Sequence, residues 1–313
     1  MGKHPVISIS LKGINAASYE AAFELTVKTI KGAVQKAGFL KMSDKLGEDE
    51  KKEYRAILDE NMSEATLFWS LKNLSELLEK HYETKVILLI DEYDVPLAKA
   101  FENGYYDKMV FLIRNLLEQT LKTNNSLKFA VMTGCMRISK ESIFTGLNNL
   151  KVLSITDERF DEYFGFTDED VKEMLRYYDR EDHYEEMRNW YDGYRFGSTD
   201  VYCPWDVLNH CDKIKENAAA FPENYWVHTS SNEAVKKIIQ MSGNITTKRE
   251  IERLLAGEEI VKEIRQELTI RKCISLWKYL ESFIYDRISN TKAATGCQSL
   301  QTCNSESGST GYF

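Results

Sequence analysis

Features that define several common protein classes are missing from this chain of 313 residues. No apolar run approaches the roughly 18 residues that a membrane-spanning helix needs, and the amino-terminal segment lacks the apolar stretch of a secretory signal. The six cysteines form no C-x-x-C pair, which favours reduced thiols over a disulfide framework. These absences predict a cytoplasmic protein with no membrane partner.

Familiar catalytic patterns are absent as well. The chain has neither the G-x-S-x-G of a hydrolase nor the H-E-x-x-H of a metalloprotease, and its five histidines show no ligand spacing. Cys203, His210 and Cys211 are poorly spaced for zinc, and the residues between Cys203 and His210 read as the start of a packed helix. The phosphate-binding pattern G-x-x-x-x-G-K-[ST] is also missing, since the only Gly-Lys pair is Gly2-Lys3. A net charge of −8 leaves a nucleic-acid partner open without favouring one.

The most informative segment that is present is an apolar run from Val86 to Ile90, followed by Asp91 and Glu92. It predicts a buried strand that carries two acids to its carboxyl end, as in the Walker B segment of nucleotide hydrolases. Asp91 would then hold a magnesium shell, and Glu92 would polarise the attacking water. The alternative is that the two acids only begin a loop and solvate its backbone.

A second predicted strand, Lys128 to Thr133, also ends in a polar residue, and Gly134 and Arg137 follow it. If this strand neighbours the first one, Thr133 lies in the same crevice as the two acids, where it could sense a γ-phosphate. Arg137 could neutralise charge there. The alternative is a simple turn at Gly134, with Arg137 in an ion pair.

A third candidate is Arg195, which lies in an aromatic segment between Gly193 and Gly197. It could reach a phosphate from a helical lid. It could equally form a structural ion pair in a tightly packed hairpin.

Helix and strand patterns alternate up to a short predicted strand at Lys151 to Ile155, which predicts a mostly parallel sheet covered by helices on both faces. Thr167 and Asp170 then mark the start of a helix. We therefore expect an α/β core over residues 1–165, a mainly helical subdomain over 166–270 and a disordered tail over 271–313.

Taken together, these segments resemble the bacterial AAA-ATPase-like family over roughly residues 3–269. The matching runs are SISLKG (Ser8 to Gly13), VILLIDEYDVPL (Val86 to Leu97), TGCMRISKESIFTGLNN (Thr133 to Asn149), FDEYFGFT (Phe160 to Thr167) and WYDGYRFG with VYCPWDVLN (Trp190 to Asn209).

The resemblance implies a P-loop NTPase fold of the ASCE/AAA type that binds ATP and Mg²⁺. It implies that Asp91 binds Mg²⁺ through water, that Glu92 and Arg137 serve catalysis, and that Thr133 and Arg195 contact the nucleotide. Members of the family look like an ATPase joined to a PD-(D/E)XK nuclease-like domain. This chain lacks the Walker A segment and that second domain, so we expect an incomplete sheet, a fragment of a longer parent and no appreciable ATP hydrolysis.

Two other functions stay open at this point. The chain could be a non-catalytic protein-binding or regulatory module, which would bind a protein partner or associate with itself. It could also be part of a nuclease-linked protein that processes nucleic acid.

Overall fold

The computed structural model describes residues 2–134 and 150–225, together with Arg249, Arg253, 262–263, 301–303 and 310–312. The described residues fall into two compact units that divide between Leu150 and Lys151. The predicted domain boundary after residue 165 stays a prediction. Each unit is described separately below.

The first unit is built on a three-stranded parallel sheet. Its strands are β1 (Val6–Ser10), β2 (Val86–Asp91) and β3 (Leu127–Met132), with β2 in the middle. Ser10 is paired with Asp91, and Ile90 with Met132, so the three strands end at the same edge. The predicted α/β class with a parallel sheet is thereby confirmed.

Five helices connect these strands, three between β1 and β2 and two between β2 and β3. Ser18 caps the first of them, since its hydroxyl accepts a hydrogen bond from the Ala21 N–H at 3.3 Å. A short 3-10 helix, Gly38–Met42, follows that first helix. The helices are α1 (Tyr19–Gln35), α2 (Glu48–Ile57), α3 (Glu64–Tyr82), α4 (Val95–Glu102) and α5 (Tyr106–Leu121).

One face of the sheet is buried along β1 and β2, whereas β3 is exposed along most of its length. Ile7, Leu88 and Ile90 are 3%, 0% and 1% exposed and alternate with exposed neighbours along their strands. The strand order rises steadily from β1 to β3, and right-handed crossovers that proceed in one direction place their helices on one face. The opposite face carries half-exposed apolar side chains: Val6 (53%), Leu89 (37%), Phe129 (50%) and Val131 (46%).

Within residues 151–225, the second unit packs three helices with a β-hairpin. Thr167 and Asp170 form the predicted helix start, because the Asp170 N–H donates to the Thr167 hydroxyl and the Thr167 N–H donates to the Asp170 carboxylate. The elements are the 3-10 helices Asp161–Tyr163 and Glu181–His183, the helices α6 (Asp168–Tyr177), α7 (Tyr184–Tyr191) and α8 (Pro204–Glu216), and the strands β4 (Asp192–Phe196) and β5 (Thr199–Tyr202). The core contains Val171, Leu175, Met187, Tyr191, Tyr202, Val207, Cys211 and Ile214.

Asp168 ties this unit together at the first turn of α6. Its carboxylate accepts hydrogen bonds from the hydroxyls of Tyr184 and Tyr202, at 2.7 and 2.8 Å, and pairs with the Lys172 ammonium at 2.6 Å. Partial burial raises the pKa of Asp168, but the hydrogen bonds from Lys172 and the two tyrosines outweigh it. The pKa of Asp168 is therefore lowered in the folded state.

The prediction of a strand at Lys151 to Ile155 is wrong. The Ser154 N–H and hydroxyl bond to the Asp157 carboxylate, at 2.6 and 3.1 Å, which folds the segment into a local turn. The Ile155 carbonyl accepts a hydrogen bond from the Gly197 N–H at 2.7 Å, but this contact does not continue into a ladder. Local side-chain hydrogen bonds thus override the apolar alternation.

Three short strands complete the described residues. They are β6 (Lys262–Glu263), β7 (Gln301–Cys303) and β8 (Thr310–Tyr312), and they pair in that order. Apart from β7 and β8, the tail for which we predicted disorder, 271–313, lies outside the described residues. A search of the described helices finds no segment with the length and apolarity of a bilayer span.

Candidate functional site

Three oxygen-bearing side chains meet where the strands of the first unit end. The Thr133 hydroxyl donates a hydrogen bond to Asp91 Oδ1 at 2.6 Å, and the Ser10 hydroxyl donates to Asp91 Oδ2 at 3.2 Å. All three residues are exposed to solvent. We call Ser10, Asp91 and Thr133 the strand-end cluster.

Backbone hydrogen bonds fix the cluster in place. The Leu11 N–H donates to the Asp91 carbonyl at 2.9 Å, and the Thr133 N–H donates to the Ile90 carbonyl at 2.9 Å. The pairing of the parallel strands therefore continues up to the cluster on both sides of β2. Because main-chain bonds position each residue, the two hydroxyls are aimed at the carboxylate by the sheet itself.

Glu92 follows Asp91 in an unusual backbone conformation. Its φ is +57°, in the left-handed region that residues other than glycine seldom adopt. The side chain is half-buried, and the chain turns there out of β2 toward α4. Such strain is found at ligand-binding and catalytic positions more often than elsewhere, which makes Glu92 a functional candidate in its own right.

The turn after Glu92 packs closely against the end of β3. The Tyr93 N–H donates to the Thr133 carbonyl at 3.1 Å. A Cβ added to Gly134 would lie 2.6 Å from Asp94 Oδ1 and 2.7 Å from Tyr93 Cε1. Asp94 is 2% exposed and is the N-cap residue of α4, with Pro96 in the first turn. Position 134 therefore has room for glycine alone unless its neighbours move.

The two arginine candidates, Arg137 and Arg195, are not among the residues seen at the strand-end cluster. Arg137 lies outside the described residues. Arg195 belongs to the second unit, on β4, where its guanidinium Nη1 pairs with Asp200 Oδ1 at 3.0 Å across the hairpin. The sequence allowed either a phosphate contact or a structural ion pair for Arg195, and the structure contains the ion pair. A contact between Arg195 and a nucleotide stays a prediction.

The chemistry of the strand-end cluster suits a hard divalent cation. A carboxylate flanked by two hydroxyls supplies oxygen donors only, and exposure leaves room for the waters that Mg²⁺ retains. The fit to a triphosphate is incomplete, because the 313 residues contain no glycine-rich phosphate loop. The residues present thus fit a divalent cation, and they do not make up a complete triphosphate site.

Ser10 is the site residue that the sequence reasoning missed. It stands at the end of VISIS, and its register opposite Asp91 depends on which strands pair. In the sequence, Ser10 is recognisable only as a serine at the end of an apolar strand within the run SISLKG. Its position opposite Asp91 depends on the pairing of β1 with β2, which the sequence alone did not specify.

The first unit belongs to the class of α/β proteins with an open parallel sheet. Its middle strand ends in a carboxylate, at the edge where such sheets generally bind their ligands. The comparisons with known proteins narrow this class. Residues 1–144 match the family model described as predicted AAA-ATPase, which confirms the family resemblance for this part of the chain. The match includes the strand-end cluster, Glu92 and Arg137, and it excludes Arg195.

One curated relative is described as an uncharacterized protein in the vnfD 5′ region of Azotobacter chroococcum mcd 1. It is 33% identical over 137 residues, which cover 40% of this chain and 24% of the relative. The chain thus spans about a quarter of that relative's length. No solved structure matches the chain.

Proposed function

We propose that the strand-end cluster is the metal-binding half of an ATP-hydrolysis site in an AAA-ATPase-like domain. The observation that supports this most directly is the contact of the Asp91 carboxylate with the Thr133 and Ser10 hydroxyls at 2.6 and 3.2 Å. It lies at the exposed carboxyl edge of a parallel sheet, where ligands of α/β proteins bind.

In this proposal each residue has one task. Asp91 holds Mg²⁺ through water, and Glu92 accepts a proton from the attacking water. Thr133, already in contact with Asp91, senses the γ-phosphate, and Arg137 neutralises the charge that develops there.

We further propose that these 313 residues alone bind Mg²⁺ weakly and do not turn over ATP. Phosphoryl transfer depends on holding the phosphates as well as the metal, and no G-x-x-x-x-G-K-[ST] segment is present to hold them. In a longer parent protein, nucleotide would be the ligand. A cytoplasmic location and a link to nucleic-acid processing belong to the same set of proposals.

The test is isothermal titration with Mg²⁺ together with an ATPase assay on the same preparation. We expect one weak Mg²⁺ site, which Asp91→Asn abolishes and Asp44→Asn leaves intact, because Asp44 is an exposed acid remote in sequence from the cluster. We expect no ATP turnover. Equal Mg²⁺ binding in Asp91→Asn would refute the metal role. A turnover that disappears in Glu92→Gln would refute the claim that the chain is inactive.

A second function, a protein-binding module, is favoured by one specific observation. Leu89, Phe129 and Val131 leave a half-exposed apolar patch on one sheet face. Such a patch supports either self-association or contact with another protein. Sedimentation velocity of the chain distinguishes self-association from contact with another protein. Self-association predicts an apparent mass that rises with concentration, and Phe129→Lys should then restore the monomer. Contact with another protein predicts a monomer at every concentration.

A further inference from the structure

A second group of metal-ligating side chains lies in the second unit. His183 ends a 3-10 helix, Glu186 lies in the first turn of α7, and His210 lies on α8. His183 Nδ1 is 2.8 Å from Glu186 Oε2, and His210 Nε2 is 3.6 Å from the same oxygen. One ligand atom from each residue lies within 4.8 Å of the other two. We call these residues the His-Glu-His cluster.

The cluster is buried, and its hydrogen bonding is incomplete. The side chains of His210 and His183 are 0% and 10% exposed, and that of Glu186 is 32% exposed. Within the described part of the chain, Nε2 of each histidine is buried and has no hydrogen-bond partner. Buried polar atoms in folded proteins nearly always have one, so His210 Nε2, which lies 3.6 Å from the Glu186 carboxylate without bonding to it, points to a missing ligand.

The distances fit a transition-metal ion. Zinc bonds of about 2.0–2.1 Å in a tetrahedral shell place neighbouring ligand atoms about 3.4 Å apart. The two separations from Glu186 Oε2, 2.8 and 3.6 Å, lie on either side of that value, and the two histidine ligand atoms lie within 4.8 Å of each other.

We propose that His183 Nδ1, Glu186 Oε2 and His210 Nε2 bind one Zn²⁺-class ion, with a water molecule in the fourth position. One of the two remaining ring nitrogens has a neighbour of the kind that orients metal ligands, since His210 Nδ1 lies 3.5 Å from the Tyr225 hydroxyl. The ion joins the start of α7 to α8 and so stabilises the second unit. This site is independent of the strand-end cluster.

The competing explanation is a metal-free network in which Glu186 bridges two histidines. It accounts for the 2.8 Å contact, but it leaves His210 Nε2 without a hydrogen bond at 3.6 Å from the carboxylate. The two explanations differ in one measurable property, which is whether the chelator-treated chain takes up a transition metal at a single site.

The experiment uses the full chain after chelator treatment. Co²⁺ serves as the spectroscopic probe and Zn²⁺ as the competitor. We expect one equivalent of Co²⁺ with the absorption of a four-coordinate ion, its displacement by Zn²⁺, and a higher Tm with Zn²⁺ present. His210→Gln and Glu186→Gln should each weaken Co²⁺ binding at least about tenfold, because even outer-shell changes have effects of that size.

Two controls separate this site from others. His4→Gln alters a histidine of the first unit, and Asp44→Asn alters an exposed acid of the same unit, so both should bind Co²⁺ as the unmodified chain does. Circular dichroism of each metal-free variant verifies folding, and His183→Gln replaces any variant that fails this check. The absence of Co²⁺ uptake, or equal uptake by the folded cluster variants, would overturn the proposal in favour of the metal-free network.

Discussion

Gly134→Ala is predicted to destabilise the first unit, because the end of β3 has no room for a side chain. The new Cβ would lie 2.6 Å from Asp94 Oδ1 and 2.7 Å from Tyr93 Cε1, whereas ordinary contacts begin near 3.4 Å. Asp94 and Tyr93 are 2% and 8% exposed, so neither can move aside into solvent. Each would have to shift by several tenths of an ångström within a packed region.

The magnitude follows from two opposing effects. Overpacking of this kind costs about 1–3 kcal/mol. Replacing glycine with alanine also restricts the unfolded chain, which returns about 0.4–1 kcal/mol. The net loss in the free energy of unfolding should therefore be about 1–2 kcal/mol.

Gly13→Ala is the matched control, because nothing lies within 4 Å of a Cβ at that position. It should be neutral or slightly stabilising. Native-state hydrogen exchange of the β2 and β3 amides reports the first unit alone, which a global melt of a two-unit chain does not. Equal protection in the two variants would show that the close packing of Gly134 on Asp94 and Tyr93 is incorrect.

Three further predictions concern single side chains. Tyr54→Phe removes a buried hydrogen bond to the Val34 carbonyl at 2.9 Å and should lower the free energy of unfolding by about 1 kcal/mol in urea denaturation. Asp168 has a lowered pKa, so its ionised form stabilises the fold above the usual aspartate pKa of about 3.9 and loses this effect as the pH falls through the lowered value. Asp168→Asn should therefore be less stable than the unmodified chain at neutral pH, and thermal melts should show the gap closing below about pH 4. Glu92→Gly relieves a φ of +57° and should leave the Tm unchanged or higher, unlike most glycine substitutions; a clear drop would contradict the strain at Glu92.

Much of the first unit can be predicted from sequence because its signals are local. The apolar runs at Val86 to Ile90 and Lys128 to Thr133 predict β2 and β3 to within a residue. The proximity of Asp91 and Thr133 also follows, because each ends a strand of one parallel sheet. The prediction of helices on both sheet faces does not hold at Leu89, Phe129 and Val131, which are half-exposed, since the side on which helices lie depends on the order in which the strands pair.

The second unit was harder to predict because its contacts join residues far apart in the chain. The segment around Arg195 allowed either a ligand-binding or a hairpin role, and the register of β4 on β5 provides the ion pair with Asp200. His183 and His210 show no ligand spacing in the sequence. Only the packing of α7 against α8 brings them to the same carboxylate, and no periodicity encodes that packing.

The most direct test of the proposed nucleotide-site geometry is the position of a bound divalent ion. Mn²⁺ can replace Mg²⁺ as a paramagnetic probe, and it broadens the NMR signals of nearby amides. We predict that broadening at low Mn²⁺ concentration is centred on Ser10, Asp91 and Thr133 and that Asp91→Asn removes it. Broadening centred on any other part of the first unit, or unchanged in Asp91→Asn, would contradict the assignment of this sheet edge as a metal site.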